Sequence, residues 1–127
     1  MNNTSRRFSV RSRRMSFTYA FRGIGWAFRQ EHNLWIHTVA AAAAIAFGFV
    51  LHISSLEWIV IVLVIAGVFA SELFNSAIES LVDLCSPDIN KKAGRVKDMA
   101  AGAVLIAALG ALATGLIIFI PKIAALL

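Results

Sequence analysis

The sequence predicts an all-α membrane protein: an N-terminal amphipathic helix lying in the membrane interface, followed by three transmembrane helices. Three observations carry this. Apolar residues make up 59% of the chain and charged residues only 15%, where soluble domains average about 25% charged. Three apolar runs approach the length of a bilayer crossing. The cations crowd into two segments rather than spreading along the chain. At 127 residues the chain has the length of one domain.

Residues 1–13 are a polar, basic tail, and no signal peptide is expected because no apolar core and cleavage site follow the arginines. From about Arg14 to Asn33 the pattern turns helical. Phe17, Phe21, Ile24 and Phe28 share one face, while Arg22 and Arg29 share another, as in a helix lying in the interface. The remainder, 14–127 with this helix included, forms one membrane-embedded domain with spans at about 34–53, 57–83 and 98–120. The first span is alanine-rich, and His37 is its ionisable residue. His52 to Glu57 is a short polar turn. The second span is uncharged from Trp58 to Ser71 and continues as helix to Asp83. That length exceeds the ~30 Å hydrocarbon core, so its end projects to the membrane surface. Ser86-Pro87-Asp88 ends it, and residues 84–97 read as a polar loop. Met99 to Ile120 is an uncharged run of 22 residues, closed by Pro121 and Lys122.

Seven arginines precede residue 30, four cations lie between 91 and 97, and Lys122 stands apart. With three spans, eleven cations fall on one side and one on the other. The positive-inside rule then places the N-terminus and the 84–97 loop in the cytoplasm and the C-terminus outside. Anionic lipid explains the basic tail better than nucleic acid does, so no nucleic-acid partner is expected. The lone Cys85 excludes an internal disulfide and reads as a small packed residue. Trp26, Trp35 and Trp58 read as interface anchors. The alanines of the first span and Gly102, Gly110 and Gly115 of the third read as sites of close helix packing.

The stretch Glu72 to Asp83, E-L-F-N-S-A-I-E-S-L-V-D, organises the function. At about 100° per residue, Glu72, Asn75, Ser76, Glu79 and Asp83 share one helical stripe. Carboxylates at the end of a membrane helix are costly and point to function. Glu31, at the end of the interfacial helix, and Lys97-Asp98, at the entry to the third span, fall on the same membrane face. Carboxylates with asparagine and lysine suit a magnesium–phosphate site, in which a carboxylate can also take a proton from a hydroxyl. No Walker-type or G-x-G-x-x-G motif is present. On spacing alone the cluster fits a catalytic or transport site, or structural ion pairing between helices such as Glu79 with Lys97.

Those twelve residues resemble the signature of the small prokaryotic diacylglycerol kinase family, E-x-(apolar)-N-S-A-(apolar)-E-x-x-V-D. Gly94-Arg95-Val96-Lys97-Asp98-Met99 and the following Ala100-Ala101-Gly102-Ala103-Val104 resemble its second block. The likeness covers Arg14 to Ile120. Phe74, where the family has an aliphatic residue, and the arginines before Arg14 depart from it. The stretch Glu31-His32-Asn33-Leu34-Trp35-Ile36-His37 resembles the E-x-N-x-x-I-H form of the undecaprenol kinase branch, which tilts the lipid toward a polyprenol.

The resemblance implies an ATP- and magnesium-dependent lipid kinase of the bacterial plasma membrane. Such an enzyme transfers the γ-phosphate directly to undecaprenol or diacylglycerol and works as a homotrimer with sites between subunits. It implies Glu72 as general base and Glu31 and Glu79 as magnesium ligands that also face ATP. Asn75 would position these groups, and Ser76 and Asp83 join it as positioning or substrate residues. Lys97 and Asp98 would contact the nucleotide, Tyr19 would border it, and Asp88, Ile89 and Asn90 would lie near the adenosine. Glu72 stands nearest the apolar run, where a lipid hydroxyl sits, with Glu79 and Asp83 about 10 and 16 Å nearer the water. Two other readings remain: a membrane scaffold or small ion transporter, which would phosphorylate no lipid, and a basic-tailed membrane anchor, in which Glu72→Gln would be silent.

Overall fold

The computed structural model describes residues 10–126, so the tail before Val10 lies outside the described residues. Four helices follow one another: α1 (Val10–Gln30), α2 (His32–Val50), α3 (Ser55–Cys85) and α4 (Lys91–Ala124). The last three are long and apolar enough to cross a membrane. α3 packs chiefly on α4 and also on α2, while α1 rests on α2 and α3.

Little of the chain is buried. Its accessible surface is 10211 Å² for a 13.8 kDa chain, against about 6,600 Å² for a soluble protein of that mass. Many large apolar side chains are exposed, among them Phe17, Phe21, Phe49, Leu56, Leu63, Ile106 and Ile117. In a bilayer such faces meet lipid or other helices, so exposure carries none of the penalty it has in water.

The helix ends differ from those expected, for local reasons. α1 begins at Val10 rather than near Arg14 and stops at Gln30, because Glu31 adopts an extended backbone (φ −106°, ψ 110°) and becomes the N-cap of α2. The turn between α2 and α3 spans Leu51 to Ser54 rather than running on to Glu57. His52 takes a left-handed conformation there (φ 49°), which reverses the chain within a few residues. The Ser54 side chain then accepts from the Glu57 N–H while the Glu57 carboxylate accepts from the Ser54 N–H, a capping box that starts α3. The loop expected over 84–97 shrinks to 86–90, because Asn90 Oδ1 accepts from the Lys92 N–H at 2.8 Å and caps α4 from Lys91. Pro121 lies inside α4 instead of closing it. So near the end its missing N–H costs one bond, and its own carbonyl still accepts from Ala125 at 3.1 Å.

Within this chain the tightest approach at a glycine is at Gly48, not in the third span. A Cβ on Gly102 or Gly110 would meet open space within this chain, and one on Gly115 would make ordinary contact with Phe119. A methyl on Gly48 would come within 2.7 Å of the Trp58 ring. Trp58 also meets Phe49, with ring centroids 4.9 Å apart and planes tilted by 53°, so it plugs the α2–α3 turn. Beside it Ile53, Ile61 and Ile118 form the small apolar core. Cys85 is exposed at the end of α3, not packed as expected, since α3 has no neighbour covering its last residue.

Candidate active site

The buried polar side chains among the described residues are Glu72, Asn75 and Ser76, at 1%, 8% and 3% exposure. They are consecutive members of the α3 stripe, so helical periodicity alone turns them inward together. Each has a different partner. The Ser76 hydroxyl donates to the Glu72 backbone carbonyl at 3.0 Å, one helical turn back. Asn75 Nδ2 donates to Glu79 Oε1 at 3.0 Å. The Glu72 carboxylate pairs with a residue from another helix: His37 Nε2 lies 3.0 Å from Glu72 Oε1.

α2 delivers His37 because its first turns are anchored. Leu34 is fully buried. Trp35 donates from Nε1 to the Phe28 carbonyl at 3.0 Å and meets the Phe28 ring edge-on, with centroids 5.5 Å apart. These contacts join the end of α1 to the start of α2 and fix the break at Glu31 between them. Glu31 itself is half-buried, and its carboxylate makes no capping bond to α2.

Lys97 forms an ion pair with Asp83, not with Glu79 as the spacing allowed. This gives Asp83 a partner and leaves Glu79 to Asn75. Asp98 is exposed beside Lys97 on α4. Tyr19 is exposed on α1, with the Arg22 guanidinium 5.8 Å from its ring centre. Asp88, Ile89 and Asn90 are exposed in the α3–α4 loop, and Asn90 is engaged in capping α4. Thus one chain brings together Glu72 with His37, Asn75 with Glu79, and Asp83 with Lys97.

Among the described residues no three His, Cys, Asp or Glu side chains gather as they would around a metal ion. Neither Glu31 nor Glu79 belongs to such a group among the described residues. Magnesium, however, commonly takes only one or two carboxylates and completes its shell with phosphates and water. Asn75 Oδ1 is buried with no hydrogen-bond partner, beside the Glu79 carboxylate that the same amide holds. An orphaned buried acceptor costs about 1–3 kcal/mol. Oxygen donors of this kind fit a hard cation.

His37 is the site residue that sequence reasoning missed; it read as the ionisable residue of the first span and as part of the Glu31–His37 stretch, with no role in the site. The signal was the position of His37 in the Glu31–His37 stretch, but nothing in one sequence sets the register of α2 against α3. His37 also lies at one end of an apolar groove of ≈ 480 Å³ that runs between α2, α3 and α4, past Val68, Phe69 and Leu112 to Phe119.

The prokaryotic diacylglycerol kinase family model matches residues 18–119. The chain is 44% identical over 108 residues to the undecaprenol kinase of Bacillus subtilis, covering 85% of this chain and 88% of that protein. It is 37% identical over 114 residues to a diacylglycerol kinase of Synechocystis, covering 89% of this chain and 65% of that one. With the diacylglycerol kinase of Escherichia coli it shares 29% identity over 105 residues, 77% of this chain and 86% of that one. The buried carboxylate, the three spans and these likenesses agree: the chain belongs to the prokaryotic diacylglycerol kinase family, integral-membrane phosphotransferases that take an alcohol group as acceptor.

Proposed function

We propose that this chain transfers the γ-phosphate of ATP to a membrane lipid alcohol, with a polyprenol such as undecaprenol preferred over diacylglycerol. The observation that carries the reading is a buried Glu72 carboxylate one turn from the orphaned Asn75 oxygen, at the end of a helix too long for the bilayer core. The polyprenol preference is supported by the 44% identical relative, an undecaprenol kinase, and by the Glu31–His37 stretch.

In this reading Glu72 takes the proton of the lipid hydroxyl as its oxygen attacks the γ-phosphorus and ADP departs. Burial keeps water from competing for the phosphoryl group. Glu79, Asn75 Oδ1 and Glu31 are the residues that would hold magnesium, which when bound offsets charge on the ATP phosphates. Lys97, held by Asp83, and Asp98 face the nucleotide, with Tyr19, Asp88, Ile89 and Asn90 around it. Ser76 serves the site by bracing the Glu72 backbone. The groove beginning at His37 takes the hydrocarbon chain of the lipid and brings its hydroxyl to Glu72. The exposed apolar faces support assembly of several copies, a homotrimer by family resemblance. The eleven-to-one cation split supports a cytoplasmic site and N-terminus in the bacterial plasma membrane, with α1 lying in the interface.

Radiolabelled ATP and purified protein in mixed micelles test this directly. Label should enter the lipid with undecaprenol, less with diacylglycerol, and only with magnesium present. No labelled lipid from either alcohol would sink the kinase reading; stronger labelling of diacylglycerol would reverse the substrate preference.

A further inference from the structure

The Glu72 carboxylate is almost wholly removed from solvent, yet the α3 side chains beside it spend their donors elsewhere. The Ser76 hydroxyl goes to the Glu72 backbone carbonyl, and the Asn75 amide goes to Glu79. The group that reaches the carboxylate comes from α2, with His37 Nε2 3.0 Å from Oε1. As the base of the proposed reaction Glu72 is ionised, and an ionised carboxylate only accepts hydrogen bonds, so in that reading the imidazole carries its proton on Nε2. A buried anion needs such a donor.

We propose that His37 is a positioning residue for the phosphoryl transfer: it holds Glu72 Oε1 so that Oε2 is presented to the lipid hydroxyl. The inference rests on Glu72 being the base. A carboxylate at the end of a free glutamate side chain has three rotatable bonds. Tying one oxygen to an imidazole fixed on a neighbouring helix selects one arrangement, and the other oxygen then has a defined direction. His37 also lines the end of the apolar groove, so the same ring that aims the base borders the path along which a lipid chain would bring its hydroxyl. The O–H bond breaks toward Oε2 while the lipid oxygen bonds to the γ-phosphorus and the bond from phosphorus to the ADP oxygen breaks. His37 neither gains nor loses a proton in that step. Its contribution is orientation, and misplacing a reacting group by about 1 Å can cost on the order of 10²-fold in rate.

The test compares His37→Leu, His37→Gln and Glu72→Gln in the same micelle assay, with kcat and lipid KM measured separately. H37L removes the donor and should lower kcat on the order of 10²-fold, with lipid KM changing by less than about threefold, since the rest of the groove still holds the lipid chain. H37Q places an amide N–H near the position of Nε2 and should recover most of the lost turnover. In an E72Q background, H37L should cost nothing further, because the two residues act as a unit. If H37L does not fold, His37→Asn decides: its amide is too short to reach Oε1, so it should be as slow as H37L was expected to be. The proposal is overturned if H37L keeps kcat, if H37Q is as slow as H37L, if H37N matches H37Q, or if the loss lies only in lipid KM. Normal turnover in E72Q would instead remove the base reading itself, so the two failures are distinguishable.

Discussion

Glu57 and Glu72 lie on the same helix, about 22 Å apart along its axis, under opposite conditions. Glu57 opens α3. Its carboxylate accepts from the Ser54 N–H in the capping box and pairs with Lys122 Nζ at 3.2 Å, tying the start of α3 to the end of α4. It is partly open to its surroundings. Glu72 is buried, shares one hydrogen bond with a histidine, and has an amide oxygen without a partner one turn on. One acid completes its surroundings and the other leaves them unfinished. Fully satisfied polar groups build structure, whereas an unfinished set in a buried place is where a substrate or ion supplies the missing partners.

That contrast can be broken most forcefully at the unfinished end. Glu72→Gln and Glu79→Gln should each lower lipid phosphorylation by about 10²- to 10⁴-fold, with helical content by circular dichroism unchanged. Near-normal turnover in either variant would remove its role. Asn75→Leu sharpens the point, because activity and stability should separate. Turnover should fall on the order of 10²-fold, while the thermal unfolding temperature in detergent should change little, since removing the unpartnered oxygen offsets the lost bond to Glu79. A fall in both would make Asn75 a structural residue. The smallest effect belongs to the finished end. Glu57→Gln should lower Tm slightly and leave kcat as it was; a large loss of turnover would mean that the two ends of α3 are not separable.

Much of this could be read from the chain before any coordinates. The spans follow from apolar length, and the stripe from Glu72 to Asp83 follows from a periodicity local to one helix. The misplaced ends have local causes of another kind. Asn90 begins α4 by one side-chain bond, and Pro121 is tolerated because it lies near a helix end; both are decided by geometry that composition does not reveal. What lay beyond reach were pairings between helices. His37 with Glu72 joins α2 to α3, and Lys97 with Asp83 joins α4 to α3; each depends on how far one helix slides along another. The spacing that allowed Glu79 with Lys97 allowed Asp83 equally well.

The turn from Leu51 to Ser54 also bears on how the protein enters the membrane. In the proposed orientation it is the part carried across first, and its side chains include no lysine, arginine, aspartate or glutamate. With His52 folding the chain back at once and Trp58 closed over Gly48, α2 and α3 can insert together as a preformed hairpin. Its leading edge then exposes a few backbone groups, the His52 imidazole, two serine hydroxyls and one carboxylate to the hydrocarbon. The polar residues of the opposite end need never leave the side on which they were made.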